Sequence, residues 1–231
     1  MKFVKKLLWM IITIVILVMI VFGYLGYKMY NDSLEEMTLS ERVKNVKEGK
    51  NFTKLTDLPN MYKNAVVSVE DHRFYNHGAL DYIAIIRAIY TDIRTHSLKE
   101  GGSTITQQLA KNLCLSQEST PQRKIAEIIM AYKIEKEYSK DEILELYVNT
   151  CYFGDGYYNI REASKGYFNK EPKDMSDYEC TLIAGIPNAP SIYVPTKNPD
   201  LAKKRQEKVL MTMVENEYIT QEESTEILNE K

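Results

Sequence analysis

The feature that most constrains this chain is an uninterrupted apolar run, LLWMIITIVILVMIVFGYLGY, at residues 7–27. It carries no charged side chain, and about twenty apolar residues is the length a helix needs to cross a bilayer. Lys2, Lys5 and Lys6 precede it, which by the positive-inside rule puts the N-terminus in the cytoplasm. Trp9 near one end and Tyr24, Tyr27 and Tyr30 near the other resemble interfacial aromatic anchors. A cleaved signal peptide is the competing reading, but the run is too long for an h-region and no A-x-A-like site follows it. The expected layout is a cytoplasmic tail (1–6), a retained single-pass transmembrane anchor (7–27) and a remainder on the extracytoplasmic face of the membrane.

The remainder is then expected outside the cytoplasmic membrane. The formal net charge of −2 over 231 residues provides no general basic face for nucleic acid, so any anion site must come from local clustering. Cys114, Cys151 and Cys180 share no CxxC spacing and read as free, mostly buried thiols. Residues 28–56 are polar and charged and read as a connector with room for one short helix or strand. Residues 57–231 read as one mainly α domain, with no alternating strand pattern of any length. Asp57-Leu58-Pro59 is a helix start, and Met61, Ala65, Val66 and Val69 follow at helical spacing. A second apolar helix, ALDYIAIIRAIYTDI, is followed by a polar loop, RTHSLKEGGS, and a third helix, STITQQLAKNLCL. Thr120-Pro121 opens a fourth, and Ser139 with Glu142 fits a capping box opening a fifth. More helix follows the Gly/Tyr-rich loop FGDGYYN.

Three places carry chemistry. Arg123 and Lys124 sit in the first turn of the fourth helix, where the helix dipole disfavours cations unless an anion docks there. Glu127 lies on the side of Arg123, opposite Ile125, Ile128, Ile129 and Tyr132, and Met130, Ala131 and Ile134 continue that side. A half-buried acid beside an arginine and an ordinary surface i,i+4 pair both remain open. In GGSTITQQLAKN, Gly101 and Gly102 allow close backbone approach. Ser103, Thr104, Thr106, Gln107, Gln108, Lys111 and Asn112 there crowd hydrogen-bonding groups into the first turns of a helix. A sugar or phosphate surface and a capped amphipathic helix with Ile105, Leu109 and Leu113 inward both fit. Finally, AVVSVEDHRFYNHG begins as apolar helix and ends in Glu70 and Asp71. His72 and His77 share no helix face, which leaves zinc chemistry of the HExxH type unsupported. An acid at an apolar helix end, with a histidine and an arginine adjacent, is how a general base with a tuned pKa would be supplied.

These stretches resemble the motifs of peptidoglycan glycosyltransferases, the family 51 enzymes. Glu70 to Gly78 is similar to EDxxFxxHxG with one residue fewer before the glycine, Gly102 to Gln108 to the last seven positions of GxSTITQQ, and Arg123 to Glu127 to RKxxE. Lys140 to Asn149 resembles KxxILExYLN, with valine for leucine. The four stand in family order. The likeness loosens after Asn149: Asn159 stands where the family has a glycine in its fifth motif, and Asn169 where YFGK is usual.

The resemblance implies a lysozyme-like helical head with a smaller membrane-proximal jaw, here roughly 76–120. It implies inverting transfer from a glycan chain held on a lipid pyrophosphate to the 4-hydroxyl of incoming lipid II, with lipid II, the nascent strand, the bilayer and other cell-wall synthesis proteins as partners. Glu70 carries over as general base and Glu127 as the second acid, near the pyrophosphate. Lys111, Arg123 and Lys124 carry over as phosphate contacts, and Ser103, Thr104, Gln107, Gln108, Asn112 and Arg73 as substrate-binding residues. A divalent cation, Mg²⁺ or Mn²⁺, is expected as cofactor, with no ligand set readable from the sequence. LDYIAIIRAIY, residues 80–90, is either an interfacial helix of the jaw or a buried core helix. Neither S-x-x-K nor KTG occurs, so the expectation is a glycosyltransferase without a transpeptidase domain. The rival readings are a lysozyme-like hydrolase and a membrane-anchored scaffold without activity.

Overall fold

The computed structural model describes residues 2–95, 102–116 and 118–230. The loop at 96–101, and Gly101 with it, lies outside these residues. Among the described residues there is no strand, as the absence of alternating sequence led one to expect. Eleven helices are described: α1 (Lys2–Glu36), α2 (Leu39–Lys47), α3 (Asn60–Asp71), α4 (Tyr82–Thr95), α5 (Ile105–Cys114) and α6 (Pro121–Glu137), then α7 (Lys140–Val148), α8 (Ile160–Phe168), α9 (Asp177–Ala184), α10 (Pro199–Glu215) and α11 (Gln221–Asn229).

Local sequence sets where many of these helices begin. Thr38, Thr104, Ser139, Ser176 and Thr220 each accept from the N3 amide, and Glu41, Gln107, Glu142, Glu179 and Glu223 reach back to the cap. Each box satisfies two otherwise orphaned donors. Asn159 caps α8, its Oδ1 accepting from the Glu162 amide at 2.9 Å with extended backbone. No conformation there calls for glycine, so the departure in the fifth motif supplies a cap. Asn169 ends the same helix at φ 55°, and asparagine is among the residues that tolerate the left-handed region.

The hydrophobic core is built where α3 packs on α9 and α10, and α5 on α6 and α7. Phe74, Ile105, Leu109, Met130, Ile134, Leu144 and Tyr147 are essentially inaccessible there. Cys114, Cys151 and Cys180 are free and buried, as expected.

One expectation needs revising, and one open alternative is decided. The stretch 28–56 is part of the folded body rather than a connector. The α1 helix runs on to Glu36 and packs along α6. A Cβ on Gly26 would stand 2.6 Å from Ile125 Cβ and 2.9 Å from the Gln122 carbonyl oxygen, so glycine is what lets the two backbones approach. Ser33 Oγ donates to the Cys114 carbonyl at 2.5 Å, and Arg42 donates to the carbonyls of Ser33, Met37 and Leu113. Leu39 and Val43 of α2 enter the core. Farther on, Asn149 exchanges two 2.8 Å hydrogen bonds with the Thr53 backbone, and Glu145 accepts from the Leu55 amide. The polar composition hid this because the buried surface comes from only a few residues.

Of the two placements left open for α4, the buried core position does not hold. Tyr82, Ile83, Ile86 and Tyr90 are all more than half exposed. Asp81 caps the helix through the Ala84 amide and is gripped by Arg73 Nε and Nη2 at 2.9 and 2.7 Å. The Tyr82 and Tyr132 hydroxyls meet at 2.6 Å, tying α4 to α6. Among the described residues, α1 alone is long and apolar enough to cross a membrane.

Candidate active site

Glu70 stands in the last turn of α3, whose Ala65, Val66 and Val67 anchor it in the core. Its side chain is 7% exposed. Oε2 accepts from Gln108 Nε2 at 2.9 Å, and Gln108 Oε1 accepts from the buried Tyr147 hydroxyl at 3.1 Å. The tyrosine thus fixes which end of the Gln108 amide faces the carboxylate. Oε1 of Glu70 is buried without a hydrogen-bond donor. The nearest cation is Arg205 of α10, with Nη2 at 3.7 Å. Burial pushes the Glu70 carboxyl above its ordinary value, with Gln108 and Arg205 pulling the other way.

Glu70 lines a cavity of about 330 Å³ together with Ser103, Arg87, Arg205 and Lys208. Ser103 Oγ accepts from Lys124 Nζ at 2.7 Å, and Lys124 and Arg123 each bond one oxygen of Glu127. Glu127 is 3% exposed, which rules out the surface-pair reading of that helix turn. It sits between two cations on the inner side of α6 and neutralises part of their charge. Gln108, Lys111 and Asn112 line a second cavity of about 500 Å³, with Tyr152, Tyr158 and Asn188. Gln108 therefore touches the base on one side and this second cavity on the other.

The remaining candidates are placed differently. The Thr104 hydroxyl accepts from the Gln107 amide and donates to the Ala79 carbonyl, and Gln107 closes the capping box; both are buried. Thr104 borders the Glu70 cavity, but its hydroxyl is taken by these bonds, and the pair shapes the start of α5. Arg73 is engaged by Asp81, which holds the Asp81 carboxyl down at about 2 despite its burial. Asp71 Oδ2 accepts from the Ile105 amide at 3.0 Å, and Oδ1 meets His77 Nε2 at 2.7 Å. His77 Nδ1 lies 2.6 Å from the Gly78 carbonyl. Burial works against the imidazolium, but these two acceptors outweigh it and raise the His77 pKa.

Asp71, His77 and Asp81 lie close enough to share a metal ion. The donor set does not suit one, because the Arg73 guanidinium occupies both oxygens of Asp81 and a backbone amide takes one of Asp71. Glu127 is likewise held by two cations. Among the described residues, no protein ligand set for the expected Mg²⁺ or Mn²⁺ is assembled.

Arg205, Lys208 and Arg87 were not foreseen as site residues. The signal existed in part: Arg205, Lys208 and Thr212 fall at i, i+3 and i+7 on α10 and line one cavity.

Comparison with known proteins agrees with the motifs. The family model described as Transglycosylase matches residues 35–214. Penicillin-binding protein 1A of Neisseria lactamica is 46% identical over 180 residues, 78% of this chain and 23% of that protein. Penicillin-binding protein 1F of Bacillus subtilis (strain 168) is 44% identical over 177 residues, 77% of this chain and 25% of that one. A crystal structure of penicillin-binding protein 1A from Haemophilus influenzae aligns over 78% of this chain and 17% of its own, at 22% identity and a TM-score of 0.46. The chain thus spans about a quarter of the length of these curated relatives. With a family match over residues 35–214, most of the described body, the chain belongs to the transglycosylase family.

Proposed function

We propose that this protein polymerises lipid II into glycan strands at the extracytoplasmic face of the bacterial cytoplasmic membrane, anchored by α1 with its N-terminus inside. The observation that carries the reading is the state of Glu70: a buried carboxylate at a cavity wall, one oxygen held by Gln108 and the other without a donor. That is the arrangement of a base ready to accept a proton.

In this reading the acceptor's 4-hydroxyl enters the Glu70 cavity, where Arg87 and Lys208 suit its pyrophosphate. The growing strand occupies the second cavity, whose tyrosines and amides suit sugar rings, with its pyrophosphate toward Lys111, Arg123 and Lys124. The acceptor oxygen attacks the donor anomeric carbon from the face opposite the leaving group, which inverts that centre. Its proton passes to Glu70, the anomeric C–O bond breaks, and the electron pair leaves with the lipid pyrophosphate. An activated leaving group needs cations more than it needs a protonated acid. Glu127, bonded to both, holds Arg123 and Lys124 in place until the pyrophosphate arrives. A divalent cation, when bound, would supply further positive charge for the leaving pyrophosphate.

Incubation of the full chain with labelled lipid II in detergent tests the reading. Long glycan polymer is the expected product, lost in Glu70→Gln. Release of fragments from finished peptidoglycan without polymer would indicate a hydrolase instead. An unimpaired cellular role for Glu70→Gln would indicate a scaffold.

A further inference from the structure

Arg205 lies outside every motif that marks this site, yet it is the cation that faces the free oxygen of the base. Its position is closely determined. Nε donates to the Gly185 carbonyl at 3.2 Å, and the guanidinium carbon stands 5.8 Å from the centre of the Tyr193 ring. A Cβ on Gly185 would come within 2.8 Å of Arg205 Cγ. Gly185 has ordinary backbone angles, φ −79° and ψ −19°, so its lack of a side chain serves the arginine's passage and not a turn. The outcome is a guanidinium 3.7 Å from Glu70 Oε1, beyond hydrogen-bond reach but close enough for strong charge interaction.

That spacing has chemical meaning. A bidentate arginine would occupy Oε1 and block proton transfer, while no cation at all would leave a buried carboxylate to neutralise itself. The other groups facing Glu70 do not replace it. Lys111 from α5 is a second cation acting at longer range, and Asp71 adds like charge. Tyr62, Tyr147 and Cys151 are buried and stay neutral. Arg87, Lys208 and Glu215 line the same cavity.

We propose that Arg205 is the positioning cation of the base, holding Glu70 ionised by its charge without bonding Oε1. The inference rests on the polymerase reading for its function, but the ionisation of Glu70 can be followed without any turnover.

The test is a pH titration of the glutamate δ-carbons by ¹³C NMR on the full chain in detergent, with Glu70 assigned by the resonance missing in Glu70→Gln. Arg205→Met should raise the Glu70 midpoint by at least about one pH unit, and Arg205→Lys should keep it near wild type. Gly185→Ala, which crowds Arg205 without touching Glu70, should move it in the same direction as Arg205→Met. The acid limb of the polymerisation profile should shift with the midpoint, so that Arg205→Met regains rate at alkaline pH. An unmoved midpoint in a variant with wild-type helical circular dichroism overturns the inference, as does a rate loss equal at every pH. If Arg205→Met does not fold, Arg205→Gln and Gly185→Ala carry the same comparison. Wild-type protein that makes no polymer would defeat the polymerase reading alone, since the NMR midpoint still decides what Arg205 does.

Discussion

A base that must take a proton and release it again needs one oxygen held and one left free, and Glu70 has that asymmetry. Removing its charge should therefore separate activity from stability. The carboxyl titrates higher in the folded protein than in the unfolded chain, so its contribution to stability is most favourable in acid. That contribution declines as pH rises through the folded value. Glu70→Gln should melt above wild type at neutral pH and alike near pH 4 by circular dichroism, while polymerisation falls by about two to four orders of magnitude. Tyr147 acts one step behind. Tyr147→Phe leaves Gln108 Oε1 without its donor, which should cost about 1–3 kcal/mol of stability in denaturant titration. With the amide free to flip, kcat should drop by about tenfold or more with KM little changed. At this scale the two acids were legible because each contradicted its surroundings: one at the end of an apolar helix, the other beside cations at a helix start. Arg205 was not, since nothing local says that a basic residue on α10 will meet the end of α3. Thr104 and Gln107 were legible as a capping pattern, and the cap is where their hydrogen bonds go.

Among the elements, α6 has the most to reconcile. One side presents Glu127, Met130, Ala131 and Ile134 to the interior, while Ile125 lies against Gly26 of α1. The side chain missing at Gly26 makes that second contact possible, so enlarging it should force the helices apart. Gly26→Leu should destabilise the protein by about 1–3 kcal/mol and lower polymerisation, because α6 carries Arg123, Lys124 and Glu127; thermal melts and a polymerisation assay check both. Gly23, where an added Cβ would meet nothing within 4 Å, should accept alanine without loss. Helix starts were well marked in the sequence, since caps and prolines are local. Partnerships between helices were not: in 28–56 the Thr38/Glu41 capping pattern and the i,i+4 pair Leu39 and Val43 mark a short helix, but nothing local says that it joins the body.

For the whole molecule, the described body ends in two different surfaces. The α4 helix exposes Tyr82, Ile83, Ile86 and Tyr90, and α1 exposes apolar side chains from Phe3 through Val21. Only the later part of α1 engages the body, through Gly26, Ser33 and the helix end held by Arg42. Deleting residues 2–20 should therefore leave the melting temperature nearly unchanged. Deleting residues 2–36 should lower stability by about 1.5–3 kcal/mol or more as Ile125 loses its cover. The shorter deletion should also process a soluble short-tailed substrate far better than one embedded in vesicles.

The continuity of α1 has a mechanical side. Thirty-five residues make a rod roughly 50 Å long, against a hydrocarbon layer of about 30 Å, and the rod is bolted to the helix bearing Arg123 and Glu127. With α1 anchored in the bilayer as proposed and no hinge between them, the bilayer would set the altitude and pitch of the reaction centre. A thicker or thinner membrane must tilt the rod, and the cleft tilts with it. Turnover in vesicles of graded acyl length should peak at one thickness and fall on both sides. A triglycine break at residues 21–23 should flatten that curve, making the enzyme indifferent to a dimension it otherwise measures.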